Sequence, residues 1–249
     1  MRIAAIGGGD RRPVLEPIIA QLETPQAVII PTACSTETSY NKKVPACAAS
    51  LGELGLQTAV LHEYGEQPSA DKIAELLGSA SLAYVIGGNT PYLLKNLALQ
   101  GSNQALIEFA ERDGWLTGLS AGALLPFARG MSCPAAKPAE TPWEYEYVHG
   151  LGVIPAAVTA HANQIDPHPS RQEQATRMDY FERTLPADTP IGFALENNAA
   201  LVIDGSRAHV ARALPEAALH VVRYGETLTD LRDDEQLSAI VNQLFAEAS

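Results

Sequence analysis

The feature that most constrains this fold is a series of five short, uninterrupted apolar runs in the N-terminal half of the chain. They occupy residues 3–6, 27–30, 58–61, 82–86 and 115–119. Runs that are apolar at every position, rather than at every second one, are typical of strands buried on both faces of a parallel sheet. Amphipathic segments separate them. The alternation predicts an α/β fold, a mostly parallel sheet with right-handed crossovers and helices on both faces.

Two segments carry clear helix signals. In residues 102–113, Leu106, Phe109 and Ala110 form an apolar stripe, and Ser102 is placed to cap the N-terminus. Near the C-terminus, the apolar positions of residues 237–245 follow the same helical spacing. The sequence therefore predicts helices over both segments.

The second half of the chain is less regular. Residues 130–150 contain three prolines and three large aromatic residues, and they predict a long loop over the carboxyl edge of the sheet. Residues 162–170 predict a second polar loop, whereas residues 199–211 predict a hairpin that turns at Asp204-Gly205. No repeat or linker interrupts the 249 residues, so we expect a single domain, residues 1–249.

The charge and cysteine content exclude several classes of protein. The 17 basic and 29 acidic residues give a net charge of −12, which argues against binding to nucleic acids or to an anionic membrane surface. Three widely spaced cysteines do not form a disulfide scaffold and suit a reducing cytoplasm. The first apolar run is too short for a signal peptide, and no run reaches the length that spans a bilayer. We expect a soluble, cytoplasmic protein.

The strongest candidate for chemistry is the pentapeptide at 118–122, GLSAG, which matches G-x-S-x-G. It lies where an apolar run ends and a helical segment, residues 121–128, begins. A nucleophile elbow requires that setting, because the glycines let the backbone turn sharply and present the hydroxyl of Ser120 at the sheet edge. The alternative is an ordinary strand-to-helix turn made of small residues.

A second glycine motif, Gly87-Gly88, directly follows the fourth apolar run. Adjacent glycines let main-chain N–H groups approach a ligand closely, as an oxyanion hole requires. We expect Gly88 to supply one oxyanion donor and Ala121, which follows the serine, to supply the other. The alternative is a tight turn capped by Asn89, a residue that is also a candidate for binding substrate.

The N-terminal glycines 7–9 do not match a dinucleotide-binding loop, because Arg12 stands where G-x-G-x-x-G requires its last glycine. We expect them instead to allow close backbone approach near the active-site edge. The sequence also lacks a paired motif such as H-E-x-x-H, and His161 with His168 is a weak metal signal. We therefore expect neither a cofactor nor a metal.

A serine nucleophile needs a base, and the chain has six histidines. His161 follows the apolar run 153–160 and opens a polar loop, which places it at the end of a strand within reach of Ser120. His168, between two prolines, is the main alternative. His209 and His220 lie in strand-like runs and are expected to be structural.

In this order, the motifs resemble peptidase family S51, the serine peptidases that include dipeptidase E and the cyanophycinases. The residues that carry the resemblance are GGG at 7–9, GGNT at 87–90, GLSAGA at 118–123, GLGVIP at 150–155, a histidine shortly after, and ALENNAALVID at 194–204. The resemblance implies a class I glutamine-amidotransferase-like (flavodoxin-like) fold. It also implies Ser120 as nucleophile, His161 as base, and Gly88 and Ala121 as oxyanion donors.

The third catalytic group departs from the family pattern. Members usually carry an acid a little over a dozen positions after the serine, and residues 131–136 contain none. The preceding acids nearest to His161 are Glu140, Glu144 and Glu146, and Glu196 occupies another acidic position of the family. We expect Glu140 to orient His161, with Glu196 as the next candidate and a Ser-His dyad as a third option.

The resemblance implies hydrolysis of small peptides, with an N-terminal aspartate as one option. An acidic substrate needs a local cation, and among Arg129, Lys137 and Arg171 we favour Arg171. A homodimer is an option that the sequence leaves open.

Two other functions remain: a binding protein that lost turnover together with the acid of its catalytic triad, and an esterase. The α/β-hydrolase esterases usually take an oxyanion donor from an HGGG-type loop, and this sequence has none.

Overall fold

This computed structural model describes residues 1–133, 144–165, 175–189, 191–223, 226–228 and 230–248. The described residues contain two β-sheets and eight helices. The strands are β1 (Arg2–Ile6), β2 (Gln26–Ile30), β3 (Gln57–Val60), β4 (Leu82–Val85), β5 (Trp115–Leu119), β6 (Phe127–Ser132), β7 (Glu146–His149), β8 (Ile154–Ala160), β9 (Ile191–Leu195), β10 (Ala199–Asp204), β11 (Arg207–Arg212), β12 (Leu219–Arg223) and β13 (Glu226–Leu228). The helices are α1 (Arg12–Ile19), α2 (Glu37–Glu53), α3 (Ala70–Ser79), α4 (Thr90–Leu99), α5 (Ser102–Glu111), α6 (Ala121–Leu124), α7 (Arg177–Thr184) and α8 (Asp234–Ala248).

The first sheet has the order β11-β10-β1-β5-β4-β2-β3. All five predicted apolar runs form strands in it, and their neighbouring pairs are parallel. In the register, Gly118 of β5 lies opposite Ala5 of β1 and Val85 of β4. The carboxyl ends of these three strands therefore meet at one edge, which brings together the glycine motifs that follow them.

Successive residues of these strands face opposite layers of the core. Ile3 and Ala5 pack in a cluster with α3, α5 and the second sheet, whereas Ala4 and Ile6 pack in another cluster with α1 and α2. The prediction of an α/β sheet with helices on both faces is confirmed. This double burial explains why the runs are apolar at every position.

The second sheet corrects the sequence analysis, which expected one sheet and a long loop over residues 130–150. Its order is β13-β12-β9-β8-β6-β7, with parallel pairs joining β6 to β8 and β8 to β9 and antiparallel pairs elsewhere. Strand β7 lies within the expected loop, and β6 overlaps its beginning. Because β6 includes Arg129 and Gly130 and β7 is half exposed, neither gives a continuous apolar signal.

Four local predictions have clear outcomes. The helix expected over 121–128 is a single turn, because β6 already begins at Phe127. Ser102 does not cap α5, since the N-cap is Gly101 in a left-handed conformation and the Ser102 side chain is buried. The hairpin at Asp204-Gly205 and the C-terminal helix are confirmed as β10–β11 and α8. Across the described ranges, no helix is long and apolar enough to cross a membrane.

Candidate active site

Ser120 lies at a sharp turn between β5 and α6. Its backbone has φ 56° and ψ −111°, a conformation that residues with a side chain rarely adopt. The turn is held by a hydrogen bond from the Ser120 N–H to the carbonyl of Ile6, at 2.9 Å. Strain of this kind persists only where the surrounding structure fixes it, and it is concentrated at functional sites.

Both glycines of the G-x-S-x-G motif are required by the packing around this turn. A Cβ on Gly118 would lie less than 3.0 Å from backbone atoms of Gly122, and a Cβ on Gly122 would lie less than 3.0 Å from the carbonyl of Val85. The first glycine thus lets α6 fold back on β5, and the second lets α6 approach β4. The sequence prediction of a strand-turn-helix elbow is confirmed in its geometry.

His161 follows β8 directly and meets the serine. Its Nε2 lies 2.8 Å from the Oγ of Ser120, and both side chains are partly buried. Its backbone is also left-handed, with φ 56°, and its N–H donates to the carbonyl of Gly7 at 3.1 Å. The structure therefore brings together the two residues that the sequence analysis selected as nucleophile and base.

The second ring nitrogen of His161 faces an amide that the sequence analysis did not identify. Nδ1 lies 2.6 Å from Oδ1 of Asn197, a residue in the turn between β9 and β10. The amide of Asn197 is itself held by Asn163, whose Oδ1 accepts from both the main-chain N–H and Nδ2 of Asn197, each at 3.1 Å. A chain of hydrogen bonds thus connects Asn163, Asn197, His161 and Ser120.

This chain fixes where the imidazole carries its proton. A main-chain N–H can only donate, so the Asn163 atom that faces Asn197 is the carbonyl oxygen. The Nδ2 of Asn197 then faces Asn163, which leaves Oδ1 to accept from His161. In the neutral ring, Nδ1 holds the proton and Nε2 has a free lone pair for the hydroxyl of Ser120. That tautomer is the one that a general base requires.

The N-terminal glycines pack against this arrangement. A Cβ on Gly8 would lie less than 3.0 Å from the Asn197 Oδ1 and from the ring of His161. A Cβ on Gly7 would meet the carbonyl of Glu196 at a similarly short distance. The prediction that these glycines allow close backbone approach is confirmed, and the residues they approach include Glu196, Asn197 and His161.

The two acids considered as the third group have different outcomes. Glu140 lies outside the residues that the structure describes. For Glu196 the expectation is corrected: its Oε1 lies 3.1 Å from Nε2 of His220 and its Oε2 accepts from the N–H of Ala218. Glu196 and its neighbour Asn197 direct their side chains to different partners, and the amide oxygen of Asn197 is the one at Nδ1 of His161.

The Ser120–His161 pair borders two cavities. The first, of about 250 Å³, is also lined by Gly88 and Ala121, the expected oxyanion donors, and by Asn89. The Oδ1 of Asn89 accepts from the N–H of Tyr92 at 2.9 Å, so this residue caps α4 while it lines the cavity. The second cavity, of about 380 Å³, lies beside the same pair and extends toward α1 and α2.

Arg177 is a further residue of the first cavity that the sequence analysis missed. It is the first residue of α7, it is buried, and its guanidinium donates to the carbonyl of Ala160 at 3.2 Å and to the hydroxyl of Tyr145 at 3.3 Å. Of the three cations proposed from the sequence, one lies outside the lining of both cavities and the structure does not describe the other two. Arg129 pairs with Asp188 at 2.6 Å, and Lys137 and Arg171 lie outside the described residues.

The remaining histidines do not contact the serine in the described ranges. His220 binds Glu196, and the Nε2 of His62 lies 2.8 Å from the hydroxyl of Thr32. His168 lies outside the described residues. In the same described part of the chain, no three His, Cys, Asp or Glu side chains are placed to hold a metal ion.

Comparisons with known proteins identify the family and the fold of this chain. The model of peptidase family S51 matches residues 3–211. An uncharacterized peptidase of Listeria innocua serovar 6a, Lin0382, is 30% identical over 159 residues, which are 63% of this chain and 73% of that protein. Two crystal structures share the fold at 19% identity. A peptidase from an acI-B1 actinobacterium has a TM-score of 0.57 over 92% of this chain and 96% of its own, and a candidate peptidase E from Listeria monocytogenes EGD-e has 0.60 over 86% and 98%.

Proposed function

Because this chain belongs to peptidase family S51 and is therefore a peptidase, we propose that Ser120, His161 and Asn197 are its catalytic triad and that it hydrolyses small peptides. The observation that carries the proposal is the continuous hydrogen-bond chain from Asn163 through Asn197 and His161 to Ser120. It gives the partly buried hydroxyl of a strained serine a base in the correct tautomer.

The reaction begins with transfer of the Ser120 proton to Nε2 of His161 as Oγ attacks the peptide carbonyl. Both nitrogens of the ring are then protonated, and the Asn197 amide oxygen continues to accept from Nδ1. An amide dipole stabilises this imidazolium, although less than the full charge of a carboxylate would.

Charge that develops on the carbonyl oxygen requires donors on the other side of the serine. The main-chain N–H groups of Gly88 and Ala121 are the candidates, since both residues line the cavity that contains Ser120. A Cβ on Gly88 would collide with the carbonyl of Ala33, so only glycine lets this loop sit here. The proton on Nε2 of His161 then passes to the departing amine, and water, activated in the same way, releases the acyl group.

The size of the cavities supports small peptides as substrates. Volumes of about 250 and 380 Å³ on the two sides of the reactive pair accommodate a few residues. Peptides with an N-terminal aspartate are one option, and cationic side chains in both cavities, Arg177 in the first and Arg11 and Lys43 in the second, favour acidic groups.

A substrate screen tests the proposal. The wild-type protein is assayed with dipeptides, including Asp-Ala and Ala-Ala, and with a nitrophenyl ester. We expect dipeptide hydrolysis that is abolished in Ser120→Ala and retained in Ser206→Ala, which removes an exposed hydroxyl far from the site in the β10–β11 turn. Hydrolysis of the ester alone would indicate an esterase, and peptide binding without turnover would indicate a silent binding protein. Either result contradicts the proposal.

A further inference from the structure

The peptide unit between Gly87 and Gly88 contains one of the two expected oxyanion donors. The C=O of Gly87 and the N–H of Gly88 belong to this one planar unit, and in a trans peptide they point in opposite directions. Whatever fixes the carbonyl of Gly87 therefore also fixes the direction of the Gly88 N–H. The unit lies against the nucleophile, since a Cβ on Gly87 would be 3.1 Å from the Cβ of Ser120.

Glycine on both sides makes the orientation of this unit easy to lose. A peptide plane turns through opposite changes in ψ of the residue before it and φ of the residue after it, and glycine restricts these angles least. Glycine is nevertheless required at both positions. A Cβ on Gly87 would lie less than 3.0 Å from the carbonyl of Leu119, and a Cβ on Gly88 less than 3.0 Å from the carbonyl of Ala33. A turned plane would direct the carbonyl oxygen of Gly87, instead of an N–H, toward a developing oxyanion.

The main chain fixes the residues on either side of this unit but not the unit itself. The N–H of Ile86 donates to the carbonyl of Ile30 at 3.1 Å, and the N–H of Asn89 donates to the carbonyl of Ala33 at 3.0 Å. Neither bond involves the C=O of Gly87 or the N–H that follows it. A further contact is needed to fix the plane between them.

Lys43 provides that contact. Its Nζ donates to the carbonyl oxygen of Gly87 at 2.7 Å, a short, charge-assisted hydrogen bond. Water can satisfy a carbonyl at the wall of a cavity, so hydrogen bonding alone does not require a lysine there. A partly buried ammonium makes a stronger bond than water does, and it opposes rotation of the plane because rotation would break that bond.

The backbone of Lys43 is itself fixed by the packing of α2. The buried stripe of this helix belongs to the same core cluster as Tyr84 of β4, the strand that leads into Gly87. The stripe consists of Tyr40, Val44, Cys47 and Leu51. Lys43 lies one turn before Cys47, at the border of the stripe. Core packing therefore sets the distance that the lysine stem has to span.

We propose that Lys43 is a positioning residue of the oxyanion hole: its ammonium holds the carbonyl of Gly87 and thereby aims the N–H of Gly88 at the reacting carbonyl. This role rests on the proposed peptidase function, which places the developing oxyanion beside Ser120. The bond also polarises the peptide unit, and a polarised unit is a stronger donor. Lys43 acts through Gly88 and makes no contact with the reacting atoms.

The rate at which an uncharged fluorophosphonate labels Ser120 tests this role without a peptide substrate. The phosphoryl oxygen of the probe gains charge as the serine attacks, as a peptide carbonyl oxygen does. We expect Lys43→Met, which removes the charge and the donors at similar length, to slow labelling by about 10- to 100-fold. Lys43→Arg keeps the charge and the donors and should restore much of the rate. Lys42→Met is the matched control, because it removes an exposed charge from the neighbouring position of α2 and should label at the wild-type rate.

Steady-state kinetics on the best dipeptide substrate provide a readout that a purely structural role would not move. Losing an interaction that forms only in the transition state lowers kcat and leaves KM almost unchanged. We therefore expect Lys43→Met to lower kcat by about the same factor as the labelling rate, with KM within about threefold of wild type. Thermal unfolding of each variant checks that it is folded.

Three results would overturn the proposal: an unchanged labelling rate in folded Lys43→Met, an equal loss in Lys43→Met and Lys43→Arg, or a loss confined to KM. If peptides are hydrolysed but labelling does not depend on Lys43, the peptidase function stands and the positioning role fails. If Ser120 is labelled in a Lys43-dependent manner but no peptide is hydrolysed, the peptidase function fails and the positioning role stands.

Discussion

Oδ1 of Asn197 lies 2.6 Å from Nδ1 of His161, in the position that a carboxylate occupies in a Ser-His-Asp triad. The amide keeps the tautomer in which Nε2 can accept the proton of Ser120. It brings no negative charge, so the imidazolium that forms during attack is stabilised by a dipole. Predictions about this residue therefore separate its role in orientation from its role in electrostatics.

Asn197→Leu removes the acceptor for the Nδ1 proton and lets the ring adopt the wrong tautomer. We expect kcat to fall by a factor between about 10² and 10⁴, with KM changed much less, by analogy with loss of the orienting group in a serine triad. Steady-state kinetics on the best dipeptide substrate measures both constants. A kcat equal to that of wild type would show that Asn197 has no part in orienting His161.

Asn197→Asp replaces the amide by a carboxylate at the same distance. A negative charge beside the ring favours the imidazolium, so the pKa of His161 rises. The base is then protonated up to a higher pH, and the acid limb of the profile of kcat/KM against pH moves upward. The measurement is that profile in both proteins, and an unmoved or lowered acid limb is the contrary outcome.

Glu196→Gln is the matched change at the neighbouring position. Its carboxylate bonds to His220 and to the N–H of Ala218, so we expect activity close to that of wild type and a loss of about 1 kcal/mol in the free energy of unfolding. Kinetics and denaturant unfolding measure the two effects. A collapse of kcat like that of Asn197→Leu would mean that Glu196 acts on His161 after all.

Backbone strain at Ser120 predicts a difference in stability between two variants that lack the nucleophile. Ser120→Gly and Ser120→Ala both remove the nucleophile, but glycine adopts φ 56° without the steric cost that alanine retains. We expect Ser120→Gly to be more stable than Ser120→Ala by about 1–3 kcal/mol, the usual cost of such a conformation. Equal unfolding free energies would show that the turn is unstrained.

Gly118→Ala tests the packing of the elbow. The new methyl group meets the backbone of Gly122, and overpacking of this kind typically costs about 1–3 kcal/mol. Gly78→Ala is the control: it lies on α3 with open space around it, and alanine there should stabilise the helix by about 0.5–1 kcal/mol. Denaturant unfolding of both variants should therefore give shifts of opposite sign.

Much of this site follows from local sequence patterns, and the rest depends on the fold. The strand ends could be predicted because each central strand is a continuous apolar run, and those ends carry Ser120 and Gly88 as well as the glycines at 7–9. His161 could be predicted because it ends an apolar run too. Ser120, Gly88 and the glycines at 7–9 share one edge because β1, β4 and β5 lie in parallel register, whereas His161 reaches that edge from β8 of the second sheet.

Asn197 could not be found in the same way. Asparagine has no charge and does not titrate, so a search for an orienting group passes over it in favour of acids such as Glu196. Its role arises from the β9–β10 turn, which directs adjacent side chains to different partners. Arg11 and Lys43 belong to different helical regions 32 positions apart, and only the packing of those regions on one face of the sheet brings them to one cavity.

The central claim, that His161 activates Ser120, is tested most directly by the rate at which a fluorophosphonate probe labels the protein, with the labelled residue located by mass spectrometry. The account predicts labelling at Ser120 that is abolished in Ser120→Ala and slowed by orders of magnitude in His161→Ala, with both variants folded. Labelling of wild-type protein at another residue, or an unchanged rate in His161→Ala, would contradict it.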